Sequence, residues 1–186
     1  MSPGTGGLLR VALLADTHMP RRGPLLPRAC LERLRGADLI IHAGDVSDMA
    51  TLGMLRSFGC PLVAVRGNVE EPQVRAALPE TAEVEVGGVT IAVVHDAGPE
   101  AGRPARLRRR FPATDVVVFG HSHIPLHHVD TGGFRIVNPG SPTDRRRQPH
   151  HSMAELLIGS GGGRVRVGFW CVDPPGGPLA DELIRG

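Results

Sequence analysis

At 186 residues the chain is long enough for one domain with a sizeable core and short for two. Its 41% apolar content suits a soluble globular protein, and a formal charge of +2 is too small to mark a nucleic-acid binder. Every fixed basic side chain is Arg; the absence of Lys reads as a coding bias rather than a functional signal.

Residues 1–7 are small and Gly-rich and are expected to be irregular. An apolar, β-branched run then predicts a strand over about 8–15, and PLLPRACLERLR predicts a helix over 24–35 that ends at Gly36. A second strand reaches Ala43, a short helix covers about 48–57, and a third strand runs from Leu62 to Arg66. This β-α-β-α-β order is the pattern of a parallel sheet with crossover helices. After it, EVEVGGVTIAVV reads as a hairpin with a primed turn at Gly87-Gly88. A basic helix is expected over about 99–111, followed by a buried strand from Asp115 to Phe119. LHHVDTGGFRIVN predicts a second hairpin turning at Thr131-Gly132-Gly133, and MAELLIGSGGGRVRVGFWCV a third with its tip at Gly161-Gly162-Gly163. The Pro- and Gly-rich segment 174–186 reads as irregular. The expected architecture is α/β, one domain over 1–186, with two sheets packed face to face and helices outside.

Cys30, Cys60 and Cys171 are odd in number and widely spaced, a poor disulfide framework, and fit reduced thiols in the cytoplasm. The run from Leu8 to Ala15 is broken by Arg10 and is too short to span a membrane, and no cleavage pattern follows it. A soluble, cytoplasmic protein is expected.

Most of the informative residues lie just beyond these strands. LLRVALLA leads into Asp16-Thr17-His18, ADLIIHAG into Asp45, PLVAVRG into Asn68, VTIAVV into His95 and DVVVFG into His121-Ser122-His123. The carboxyl ends of parallel strands are where rigid backbone meets a crevice, so the seven side chains are expected to converge. Two positions account for them: Asp16, His18, Asp45 and His123 at one metal, and Asp45, Asn68, His95 and His121 at the other, with Asp45 bridging. Two dications carry +4 against −2 from Asp16 and Asp45, a surplus suited to an anionic substrate. Paired metals about 3.5–4 Å apart are the usual arrangement for in-line displacement at phosphorus. Mixed nitrogen and oxygen donors favour Mn, Fe, Zn, Co or Ni over Mg or Ca. His42, inside a strand, reads as a core histidine.

In series, D-T-H at 16–18, G-D at 44–45, V-R-G-N at 65–68, His95, G-H-S-H at 120–123 and N-P-G-S at 138–141 resemble the calcineurin-like metallophosphoesterases. The likeness spans about residues 8–172 and is greatest to the small phosphodiesterase branch that includes Vps29-like proteins. It implies a four-layer α/β/β/α sandwich, two mixed sheets flanked by helices, and phosphoester hydrolysis with Mn or a similar metal through a hydroxide bridging two cations. Asp45, Asn68 and His95 would then serve catalysis as well as metal binding. Two positions depart from the family pattern. Val69 stands where many members have a proton-donating His, and Ala97 where H-G-H would place a second His. Losing general-acid help costs about 10²–10⁴-fold for a poor leaving group, so substrates whose leaving group needs little protonation are expected.

Arg66, beside Asn68, is a candidate contact for substrate phosphate, with a structural ion pair as the alternative. Arg145-Arg146-Arg147 reads as a solvated loop, with phosphate recognition near the site as the alternative, and the arginines at 103, 106, 108, 109 and 110 read as a solvated helix face without the aromatic interleaving of a nucleic-acid binder. His127, His128, His150 and His151 have no ligand-like context. The expected activity is a metal-dependent phosphodiesterase acting on a small phosphoester, without membrane or nucleic-acid partners; homo-oligomerisation is left open. The alternatives are a Vps29-like protein-binding scaffold and a phosphomonoesterase or nuclease on the same fold.

Overall fold

A computed structural model of the chain describes residues 7–159 and 164–186. Two sheets pack face to face. The first has strand order β11-β10-β9-β1-β2-β3, built from β1 (Leu8–Leu14), β2 (Leu39–Ala43), β3 (Leu62–Val65), β9 (Ser152–Gly159), β10 (Val165–Cys171) and β11 (Gly177–Pro178). The second has order β4-β5-β6-β8-β7, built from β4 (Thr81–Val86), β5 (Val89–Val94), β6 (Val116–Phe119), β7 (Leu126–Val129) and β8 (Arg135–Asn138). Both sheets are mixed. β1, β2 and β3 run parallel in one, and β5, β6 and β8 run parallel in the other.

The helices lie outside, which gives the α/β/β/α sandwich its four layers. α1 (Arg28–Arg35), α2 (Met49–Arg56) and α3 (Pro72–Ala77) follow or precede strands of the first sheet, and α4 (Arg103–Arg110) belongs to the second. Three apolar clusters cement the layers. Val11, Leu13, Ile41, Ile91, Val93, Val118 and Leu156 lie among the residues between the sheets. Leu14, Leu34, Ile40, Leu52 and Leu55 join α1 and α2 to the first sheet, and Val117, Phe119, Leu107 and Ile136 join α4 to the second. Alternate residues of β1 thus enter different clusters, as a strand buried on both faces requires.

Local chemistry sets several boundaries. Pro27 is the N-cap of α1, with extended backbone (ψ 147°), so the helix begins at Arg28 and not at residue 24. Asp48 caps α2 by accepting the Thr51 amide at 2.7 Å. Gly87 and Gly88 have φ of 59° and 81°, the left-handed pair that a primed hairpin turn needs, and β4 and β5 pair antiparallel across it. The other two hairpins pair as the sequence implies, Leu126 with Asn138 and Ser152 with Cys171. The proposed tip at Gly161-Gly162-Gly163 lies outside the described residues, as does most of the Gly-rich stretch at 1–7.

Three features differ from the sequence reading. α3 is a short helix absent from it: Pro72 at its first turn starts it, but six residues carry too little periodicity to register. The basic helix is shorter than 99–111, because Gly102 stands at its N-cap in left-handed conformation. The segment 174–186 is ordered rather than irregular. Gly177 pairs with Cys171, Leu179 is buried, Asp181–Leu183 form a 3₁₀ turn, and the Arg185 amide donates to the Pro125 carbonyl at 2.9 Å. Pairing with the preceding strand β10, and the hydrogen bond from Arg185 to Pro125 far away in sequence, override the Pro and Gly content.

Candidate metal centre

The carboxyl ends of six parallel strands, three from each sheet, open on one crevice. Asp16 and His18 follow β1, Asp45 follows β2 and Asn68 follows β3; His95 follows β5, and His121 and His123 follow β6. The end of β8 adds Asn138, and the loop after it Ser141. All seven sequence-predicted residues come together here; the donor atoms of Asp16, His18 and His123 form one cluster, and those of Asp16, Asp45 and His95 another.

In the first group, His123 Nε2 lies 3.4 Å from Asp16 Oδ1 and 3.2 Å from His18 Nε2, and His18 Nε2 lies 3.3 Å from Asp45 Oδ2. In the second, His95 Nε2 lies 3.5 Å from Asp45 Oδ1, 3.0 Å from Asn68 Oδ1 and 3.3 Å from His121 Nδ1. The two Asp45 oxygens therefore face different groups. Asp16, Asp45, His95 and His123 are buried, while Asn68 and His121 reach the surface.

The backbone bends sharply to aim these side chains. Asp16, His18, Asp45, His121 and His123 all have left-handed φ, between 44° and 68°, a conformation that non-glycine residues seldom adopt. Gly44 (φ 91°) precedes Asp45, and a Cβ there would meet the His95 ring. A Cβ at Gly67 would run into the Asp45 carboxylate.

Hydrogen bonds hold the loops across the two sheets. His121 N–H donates to Asp16 Oδ1 at 3.1 Å, and His95 Nδ1 lies 2.9 Å from the Ala43 carbonyl. That contact requires the proton on Nδ1, which leaves the Nε2 lone pair aimed at Asn68 and Asp45. His123 is fixed in the same sense by the Asp144 carbonyl. Asn68 and Val69 amides donate to Asp45 Oδ1 at 2.8 and 3.3 Å. Ser141 Oγ donates to the Asp16 carbonyl at 2.7 Å, and Asn138 Nδ2 to the Gly120 carbonyl at 2.8 Å.

The electrostatics fit cations. Burial, and then the neighbouring Asp45, raises the Asp16 carboxyl well above its usual range, and Asp16 Oδ2 is buried without a hydrogen-bond partner. Burial lowers His18 and takes His123 down to about 4, so both imidazoles are held neutral, the form that ligates metal. Two buried carboxylates, neutral imidazoles with lone pairs turned inward and an orphaned oxygen are a donor set that divalent metal would satisfy.

Sequence reasoning gave Glu70 no role beyond an acidic residue at a place where the family usually has one. Its Oε1 accepts the Asp45 amide at 2.8 Å and the Gly67 amide at 2.6 Å, and so joins the ends of β2 and β3. Its place in G-N-V-E-E was the only available signal. His42 is fully buried, with Nε2 3.3 Å from Thr17 Oγ1 and its pKa lowered to about 3 by burial; it is a core histidine. Arg66 lines a cavity with Asn68, His95 and His121 and also pairs with Glu80 at 3.3 Å. Ala97 is buried in the core beneath α4, and Asp96, which lines the same cavity as Arg66, accepts the Gly98 amide through Oδ1 at 2.7 Å. His150 and His151 do have company: His151 Nδ1 lies 2.7 Å from Asp173 Oδ1, and His150, Asp173 and Cys171 bring their donor atoms within 4.8 Å of one another.

Residues 9–161 match the calcineurin-like phosphoesterase superfamily domain. The chain is 34% identical over 156 residues to a probable metallophosphoesterase of Methanocaldococcus jannaschii, covering 82% of this chain and 78% of that one. In fold it is similar to Vps29 of Cryptosporidium parvum, with a TM-score of 0.81 at 19% identity over 93% of this chain and 96% of that one. It is also similar to Vps29 of Entamoeba histolytica in complex with zinc, with a TM-score of 0.77 at 24% identity over 92% and 97% of the two chains. The family match spans the strands that deliver every residue of the centre, and the chain belongs to the calcineurin-like phosphoesterase superfamily.

Proposed function

We propose that the protein is a phosphodiesterase with a binuclear centre, holding one divalent cation by Asp16, His18, Asp45 and His123 and a second by Asp45, Asn68, His95 and His121. The observation that carries this reading is the division of Asp45: Oδ2 faces His18 at 3.3 Å and Oδ1 faces His95 at 3.5 Å. Bound there, two cations supply Lewis acidity and a water of lowered pKa. The chain's own residues fix the donor atoms, exclude bulk water from the Asp16 and Asp45 carboxylates, and present Asn68, His121 and Arg66 at the open side for substrate phosphate. Mn is the cation we favour, and the three free cysteines support a reducing, cytoplasmic location.

Asp45→Asn tests the reading. Metal analysis of the purified protein is expected to give two cations per chain, and the variant to lose both together with hydrolysis of bis(p-nitrophenyl) phosphate. Unchanged metal content and rate in Asp45→Asn would sink the assignment.

A second reading, a protein-binding scaffold, draws on Val69, an aliphatic residue where a proton donor would help catalysis. Full metal occupancy without hydrolysis of phosphate mono- or diesters would favour it.

A further inference from the structure

Seven non-glycine residues among those described have left-handed φ, and five of them are among the seven residues assigned above as ligands. The other two are Ser47 (φ 70°) and Arg146 (φ 48°). They lie about a hundred positions apart in sequence, yet both line one cavity of about 530 Å³, along with His18, Arg21, Arg22, Val69 and Asp144. Backbone strain of this kind persists where surrounding structure imposes it and concentrates at functional sites. Here it extends the strained set of the metal centre into one adjoining cavity.

The chemistry of the cavity is specific. Ser47, in the cavity wall, is only 5% exposed, and its buried Oγ has no hydrogen-bond partner among the described residues. Arg22 is paired with Asp144 at 3.3 Å, but Arg21 and Arg146 pair with no carboxylate among the described residues. Arg146 is near enough to act on the charges of Asp16, His18 and His123. The wall also includes Val69, which cannot give a proton. A group leaving into this cavity meets two free guanidinium forks and a hydroxyl, and no general acid.

We propose that this cavity is the leaving-group subsite and that it receives a phosphate, so that the bond broken is a phosphoanhydride P–O–P bond. A phosphate is a weakly basic leaving group and departs without protonation, whereas an alkoxide does not. Arg presents paired donors matched to phosphate oxygens, and Ser47 Oγ–H supplies a third. In the step, the oxygen of water bonds to the phosphorus held at the centre and the bond from that phosphorus to the bridging oxygen breaks. The bridging oxygen keeps the bonding pair as a terminal oxygen of the departing phosphate. One water is consumed and one proton passes to solvent.

The proposal rests on the phosphoesterase reading above, and the experiment separates the two. ADP-ribose and bis(p-nitrophenyl) phosphate are compared on Mn²⁺-loaded wild type, Ser47→Ala and Arg146→Ala. The variants' kcat/KM for ADP-ribose is expected to fall by about 10–100-fold, and at least tenfold further than for the aryl diester. Calorimetry of inorganic pyrophosphate binding to the metal-free chain gives a second readout, with Arg146→Ala weakening binding about tenfold. Thermal unfolding checks that both variants fold. Hydrolysis of the aryl diester without ADP-ribose hydrolysis, equal losses on both substrates, or pyrophosphate binding insensitive to Arg146 would overturn the subsite and leave the phosphodiesterase reading standing. Hydrolysis of neither by wild type would overturn both.

Discussion

Glu70 Oε1 accepts the backbone amide of Asp45 at 2.8 Å, and the same oxygen accepts the Gly67 amide at 2.6 Å. One acceptor thereby ties the loop that carries the Asp45 carboxylate to the loop that carries Asn68. Asp45 in turn accepts the Asn68 and Val69 amides through Oδ1, so the tie is reciprocal.

Glu70→Ala leaves those two amides without an acceptor and is expected to destabilise the protein by about 1–3 kcal/mol. Glu70→Gln keeps an oxygen at that place and is expected to cost less than about 1 kcal/mol. Urea unfolding of the metal-free proteins distinguishes them, and equal midpoints for the two variants would show that the acceptor is unimportant.

Gly44→Ala places a Cβ against the His95 ring at a backbone φ of 91°. Strain of this kind costs about 1–3 kcal/mol, and a displaced His95 removes a donor from the second group. The variant is expected to fold with reduced stability and to bind about one cation fewer per chain than wild type, measured by metal analysis. Gly67→Ala, whose Cβ would strike the shared Asp45 carboxylate, is expected to weaken both positions.

Asp16 and Asp45 are both buried, and burial, then the neighbouring Asp45, raises the Asp16 carboxyl. The folded metal-free chain holds the Asp16 proton to higher pH than the unfolded chain. Its contribution to stability therefore falls as pH rises above the ordinary 3.8 and through the raised value. Cations reverse this. Mn²⁺ at about 100 times Kd is expected to stabilise wild type by about 2.7 kcal/mol and to displace the proton. Asp16→Asn is expected to melt no lower than wild type without metal, and to gain little from Mn²⁺ in differential scanning fluorimetry. A full Mn²⁺ response in Asp16→Asn would contradict this.

His42 gives the opposite slope. Its folded pKa is about 3 against an ordinary 6.5, so the unfolded chain takes up a proton that the folded chain refuses. Stability is expected to fall as pH drops from 6.5 toward 3, by up to about 1.4 kcal/mol per unit for this one group. His42→Gln should flatten the acid limb of a stability–pH curve in chelator. An unchanged slope would assign acid sensitivity to other groups.

Much of this protein could be read locally. Apolar runs of strand length, each closed by Asp, Asn or His, located the strands, and through them the residues of the centre, because a strand's carboxyl end is a rigid place to aim a side chain. Pro27, Asp48 and the Gly87-Gly88 turn act over a few residues, so their effects are written in neighbouring sequence. Other features depend on chain that is far away. Nothing near residue 8 shows that β1 pairs antiparallel with β9, and nothing near residue 185 shows that Arg185 donates to the Pro125 carbonyl. The loop at 145–147 reads as a solvated basic run, yet folding brings Arg146 beside Ser47 and Val69. The sequence by itself determined which residues could bind metal, since that is a matter of side-chain chemistry. Only the tertiary structure decided which Asp45 oxygen faces which histidine, that Glu70 joins two loops and that Ser47 is buried without a partner. Those are relations across two sheets, made by long-range packing that no local pattern records.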